Sequence, residues 1–138
     1  MVALVTLGIA AGAGVDHTSG RGEATRSRAI SLTITYWPDE RAPETFERWT
    51  LRCNPLGGTL PSRRSACRGL ARLTPTAFAP VPRDAICTQI YGGPQKAVVT
   101  GTFGDRRIWA SFRRRNGCEI ARWQRFAPWL FPSGGAAH

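Results

Sequence analysis

The sequence predicts an antiparallel α+β domain on three observations: a strictly alternating strand near residue 30, one stretch of helical spacing after Pro61, and two strands around Gly104 that read as a hairpin. Ile30-Ser31-Leu32-Thr33-Ile34-Thr35-Tyr36-Trp37 alternates apolar and hydroxyl side chains, the period of a half-buried strand, and Pro38 ends it. Trp49, Leu51 and Cys53 keep that period in a second strand. From Pro61 the spacing changes. Ala66, Leu70 and Leu73 fall three and four apart with arginines between them, and Pro61 suits a first helical turn, so one main helix of about three turns is expected. Thr74 to Pro82 holds three prolines and forms at most a short turn before a loop. Ala97 to Phe103 and Arg107 to Phe112 are strands joined across Gly104-Asp105-Arg106. Asn116-Gly117 is a turn signal; Cys118 to Trp123 begins a short helix or continues as a strand, and Trp129 to Phe131 reads as a last short strand.

The 138 residues allow one domain, and a 42% hydrophobic content is that of a globular chain. A domain of this size buries roughly two thirds of its unfolded surface, so cross-links add to a core rather than replace one. Residues 1–28 form a signal-like apolar segment and flexible lead-in, 29–132 the folded domain, and 133–138 a flexible tail. Met1 to Val15 carries no charge and contains Ala11-Gly12-Ala13, the small-residue form at which signal peptides are cut, which predicts a secreted, extracellular protein. The basic residues that usually begin such a segment are missing. A bilayer span needs about 20 apolar residues, more than this run supplies, so no membrane association is expected.

Lys+Arg of 19 against Asp+Glu of 9 gives a formal charge of +10 and Lys96 is the only lysine, an arginine bias that accompanies GC-rich coding. Arg113-Arg114-Arg115, with Arg106 and Arg107, makes no single patch, because successive strand side chains point to opposite faces; solvated edge charge is expected. With no stacking platform or groove-reading element, no nucleic-acid partner is expected. Trp37, Trp49, Trp109, Trp123 and Trp129 are expected to fill the core rather than to form a sugar platform. Both histidines, His17 and His138, lie in the segments outside the domain, so no histidine-based triad can be assembled; metalloprotease and phosphate-loop motifs are missing too. Asp39, Glu40, Glu44 and Glu47 form an acidic cluster expected only to solvate a loop. The chain is therefore read as non-enzymatic and without a cofactor. Its four cysteines are spaced by 14, 20 and 31 residues with no C-x-x-C pair, which argues against a metal site and for disulfides. Three connectivities are open, and spacing does not choose among them.

Leu51-Arg52-Cys53-Asn54-Pro55-Leu56-Gly57-Gly58-Thr59-Leu60-Pro61 followed by Ser65-Ala66-Cys67-Arg68-Gly69-Leu70 resembles the cysteine, Gly-Gly-Thr-x-Pro and Ala-Cys-x-x-Leu pattern of the Streptomyces subtilisin inhibitor family. Cys87-Thr88-Gln89-Ile90-Tyr91 stands where that family carries its reactive loop, and Asn116-Gly117-Cys118-Glu119 is similar to its Asn-x-Cys-Glu. The resemblance runs from about Ile30 to Phe131. It implies disulfides Cys53–Cys67 and Cys87–Cys118, a five-stranded antiparallel sheet packed with one main and one short helix, and a homodimer formed through the sheets. On the chain-entropy model those disulfides contribute roughly 3 and 4 kcal/mol.

For function, the resemblance implies inhibition of secreted serine endopeptidases of the subtilisin type through a substrate-like loop, with the scissile bond between Gln89 and Ile90. Gln89 would enter the primary specificity pocket, Ile86 a second apolar pocket, and Tyr91 would pack on the leaving-group side, while Cys87 and Thr88 complete the contacting loop. Inhibitory members more often place Met, Lys or another long side chain where Gln89 stands, and an uncharged amide favours a broad subtilisin pocket over a trypsin-like one. Gly92-Gly93-Pro94 departs from the family's acidic-residue-then-proline continuation and carries one extra residue. The alternative reading is a non-inhibitory secreted domain of the same fold that binds an anionic polymer or cell envelope through its arginine-rich surface.

Overall fold

The computed structural model describes residues 28–133. The signal-like segment, the tail beyond residue 133 and both histidines lie outside the described residues. Five strands form one antiparallel sheet: β1 (Ile30–Trp37), β2 (Glu47–Cys53), β3 (Gly57–Gly58), β4 (Gly93–Phe103) and β5 (Arg106–Arg114), in the order β3-β2-β1-β4-β5. The helices are α1 (Arg63–Ala71) and α2 (Gly117–Phe126), with a 3-10 turn at Pro75–Phe78. No helix among the described residues is long and apolar enough to cross a membrane.

The alternation of β1 does what it predicts. Ile30, Leu32, Ile34 and Tyr36 are buried on one face, together with Leu51 and Cys53 of β2, Ala97, Val99 and Phe103 of β4, and Ile108, Ala110 and Phe112 of β5. Phe78, Trp123, Phe126, Leu130 and Phe131 close over that face, and burying each large side chain contributes about 1.5–3 kcal/mol. The rings interlock: Trp123 and Phe131 have centroids 4.6 Å apart, Phe78 and Phe126 4.9 Å, and Phe112 and Phe126 5.1 Å. On the other end of this layer α1 buries Ala66 and Leu70. Gly69 lies beneath the Trp129 ring, and the Ser62 hydroxyl donates to the Trp129 carbonyl at 2.8 Å.

Several sequence expectations change in detail. Trp129 to Phe131 is not a strand: the chain after α2 keeps turning, with the Leu130 N–H on the Phe126 carbonyl at 2.8 Å, and Leu130 and Phe131 are buried consecutively, which a period of two forbids. The fifth strand is instead Gly57–Gly58, paired with Leu51 and Arg52. Pro61 precedes the helix it was expected to begin, since Ser62 is the N-cap, and Leu73 lies beyond its end. Cys118 to Trp123 resolves as helix. Tryptophans are divided: Trp123 is fully buried in the core, whereas Trp109 is 73% exposed on the opposite face of the sheet.

Both disulfides join the cysteines that the resemblance implies, Cys53–Cys67 and Cys87–Cys118. The first ties β2 to α1; the second ties the loop before β4 to the first turn of α2.

Candidate functional site

From Ala79 to Gly92 the chain has neither helix nor strand, apart from a turn at Arg83–Asp84. Side chains that would ordinarily seek a core stand in solvent here: Ile86 is 100% exposed, Ile90 57% and Tyr91 60%. Three exposed apolar side chains thus fall within six positions, on a fold with a full aromatic core.

What holds this segment comes from α2. Asn116 is its N-cap, the side-chain oxygen accepting the Glu119 N–H at 3.0 Å, and the Glu119 carboxylate accepts the Arg115 N–H at 3.1 Å. The Asn-x-Cys-Glu string is thus a helix start that aims Cys118 at the loop. The Gly117 N–H, one of the groups a first helical turn leaves without an internal partner, donates to the Thr88 carbonyl at 2.9 Å. A β-carbon at residue 117 would overlap the Thr88 hydroxyl, so only glycine permits the approach. With the Cys87–Cys118 bridge beside it, the loop is fastened at two consecutive residues, Cys87 and Thr88. Gln89, next in the chain, is exposed, and its amide makes only a long 3.4 Å contact to the Cys87 carbonyl.

Two buried arginines lie at the ends of the segment: Arg122, for which the sequence raised no expectation, and Arg114, which was expected to be solvated edge charge and is instead buried. Arg122 of α2 donates to the Phe78 carbonyl at 2.7 Å, the Ala79 carbonyl at 2.9 Å and the Ser111 carbonyl at 2.6 Å, with its guanidinium 3.9 Å from the Phe112 centroid. Burial lowers its pKa from the ordinary value, and hydrogen bonds to carbonyls take the place of a counter-ion. Arg114 of β5 is 5% exposed and donates to the Gly92 carbonyl and, at 3.1 Å, to the Gln95 side chain. A signal existed for Arg114: it continues the inward series Ile108, Ala110, Phe112.

The flanking residues of the arginine triplet behave differently, which corrects the expectation of solvated edge charge. Arg113 and Arg115 both bind Glu40, each at 2.7 Å, and the Glu40 N–H donates to the Pro94 carbonyl at 2.8 Å. Burial pushes the Glu40 carboxyl up, but hydrogen bonds from Arg115 and Arg113 outweigh it and hold the pKa below the ordinary value. Glu40 is therefore not a solvating charge. It fastens the β1–β2 connection against the chain two residues beyond Gly92. Asp39 pairs instead with exposed Arg41 at 2.9 Å.

The sequence-predicted residues thus form one feature. Ile86, Cys87, Thr88, Gln89, Ile90 and Tyr91 lie on one largely exposed loop, while Cys53–Cys67 borders a groove of about 570 Å³ that also takes in Ile30, Leu70 and Phe103 and that no residue of this loop lines. A family model described as subtilisin inhibitor-like matches residues 26–115. The matched span runs through all five strands and includes the loop; Cys118 lies just beyond it. No curated protein matches this chain.

Proposed function

This chain belongs to the subtilisin inhibitor-like family, and we propose that it inhibits secreted serine endopeptidases of the subtilisin type by offering them the Gln89–Ile90 bond. The observation that carries the proposal is the pairing of exposure with restraint: Ile86, Gln89, Ile90 and Tyr91 face solvent, while Cys87 and Thr88 between them are tied to the start of α2. A segment of this kind enters a protease cleft by main-chain hydrogen bonding, with alternate side chains filling pockets. Because the scaffold orders it beforehand, less conformational entropy is lost on binding.

Gln89 fills the primary pocket, its amide reaching polar groups there after leaving the Cys87 carbonyl, and Ile86 and Tyr91 fill subsites on either side. Cys87, two residues before the bond, keeps the acyl half attached after cleavage. The second partner is another copy of this chain. The uncovered face of the sheet presents exposed Trp109 opposite Thr100, with Thr33 beyond it and Arg107 beside it opposite Thr102, an aromatic centre with a charged margin suited to stacking on itself. Secretion agrees with two disulfides and no free cysteine among the described residues.

Titration of subtilisin with the oxidised protein is expected to give stoichiometric loss of activity that persists as salt is raised, with slow cleavage after Gln89. Binding only to anionic polymers, lost at high salt and without inhibition, would overturn the proposal.

A further inference from the structure

On the leaving-group side of Gln89–Ile90 the chain runs through two glycines and carries no cross-link. Gly92 is buried so tightly that a β-carbon would meet the Ile120 side chain at 2.8 Å, and Gly93 has φ +133°, a conformation that side chains resist. Here the β4–β5 ladder is irregular: Gly93 pairs with Arg114 and Ala97 with Phe112, so β4 spends two more residues than β5 over the same stretch. Glycines have the most freedom to lose, so a segment of this composition holds a position only if something fixes it.

Arg114 fixes it. Its backbone carbonyl accepts the Gly92 N–H at 2.7 Å, and its Nη1 donates to the Gly92 carbonyl and, at 3.1 Å, to Gln95 Oε1 on the far side of the bulge. The guanidinium is itself held, 6.0 Å from the Trp123 ring centroid in the core. Charge-assisted bonds of this kind are the stronger ones and are directional.

We propose that Arg114 is a positioning residue that does for the leaving-group half of the reactive bond what the Cys87–Cys118 disulfide does for the acyl half. The inference rests on the inhibitory reading above. Cys87 lies two residues before Gln89 and Gly92 lies two residues after Ile90, so the anchors are symmetric about the bond. When a protease serine attacks Gln89, the C–N bond breaks and an acyl-enzyme ester and an Ile90 amine form. Held by Gly92, that amine stays at the ester. It attacks the Gln89 carbonyl, the C–N bond re-forms as the C–O bond to serine breaks, and the proton lost by the amine returns to the serine oxygen. If the amine swings away, water takes its place and the inhibitor is consumed as a substrate.

The test uses the oxidised chain as wild type, Arg114→Met, which keeps the bulk and loses the donors, and Arg114→Lys, which keeps the charge. Without protease, amide hydrogen exchange at Gly92 and Gly93 is expected to rise about tenfold in Arg114→Met while β1 amides stay unchanged, with Arg114→Lys between the two. With subtilisin, Arg114→Met is expected to be cut after Gln89 about tenfold faster and to release active protease, again with partial rescue by lysine. Unchanged exchange at Gly92 and Gly93, or equal acceleration in β1, would overturn the assignment, since Arg114 would then be an idle or a general core residue. Wild-type protein that fails to inhibit, alongside local acceleration in Arg114→Met, would remove the inhibitory reading and support the positioning of the chain by Arg114.

Discussion

Thr88 packs against Gly117 so closely that the Gly117 N–H reaches its carbonyl at 2.9 Å and its hydroxyl occupies the place a β-carbon of residue 117 would take. The contact joins the residue before Gln89 to the first turn of α2. Gly117→Ala would ordinarily favour a helix by up to about 1 kcal/mol, yet here it must displace Thr88. Thermal stability is expected to change little while inhibition of subtilisin weakens about tenfold, and adding Thr88→Ala is expected to recover part of the loss. Undiminished inhibition by Gly117→Ala would show that this contact does not shape the loop.

Removing the Cys87–Cys118 bridge by paired alanine substitution should cost roughly 4 kcal/mol in denaturant titration, from the loop the bridge closes. The functional effect is expected to exceed that of stability: at temperatures where the variant is fully folded, subtilisin should cleave it as an ordinary substrate. Persistent inhibition by the folded variant would mean that the tether is dispensable.

Glu40 sets an acid limit. Its pKa in the folded protein is lowered, burial being outweighed by hydrogen bonds from Arg115 and Arg113, so the unfolded chain binds its proton more readily. The stabilisation is fully present above the ordinary value of 4.5 and is lost as pH falls through the lowered folded value. Wild type is expected to exceed Glu40→Gln by about 1 kcal/mol at neutral pH, an advantage that disappears in strong acid. Parallel stability curves for the two proteins across the acid range would contradict this.

Arg122 serves the fold more than the loop tip. Arg122→Met leaves three carbonyls, of Phe78, Ala79 and Ser111, without their donor. A loss of about 3 kcal/mol is expected in denaturant titration, in keeping with charged hydrogen bonds in a buried setting. A loss under about 1 kcal/mol would mean that water replaces the guanidinium at little cost.

Much of the architecture was legible because it is written in periodicity. The alternation of β1 and β5, the spacing of Ala66 and Leu70, and the Gly104-Asp105 turn each report which face a side chain takes. β3 escaped notice for the same reason: Gly57 and Gly58 have no side chains to alternate. Trp129 to Phe131 was misread because a run of three apolar residues carries no period. The loop itself was located by motif resemblance, and the disulfide pairing with it, since spacing left three connectivities open.

What composition hid were the charges that work inside. Arg114 reads as solvated edge charge and Arg122 carries no signal of its own in a chain with so many arginines, and only register and helix phase place them among Phe112, Trp123 and the loop stems. Glu40 likewise sat in an acidic cluster with no visible partner, because Arg113 and Arg115 lie more than seventy positions away in sequence. Contacts of that separation arise from topology, which a one-dimensional pattern does not display.

The most direct test of the central claim is titration of subtilisin and trypsin with oxidised wild type, Gln89→Gly and Gln89→Lys, reading residual activity on a chromogenic peptide and cleavage after residue 89. Tight inhibition of subtilisin by wild type, lost in Gln89→Gly and extended to trypsin in Gln89→Lys, is the expected result. Inhibition by none of the three, with all of them folded and both disulfides intact, would contradict the assignment of Gln89–Ile90 as a reactive bond.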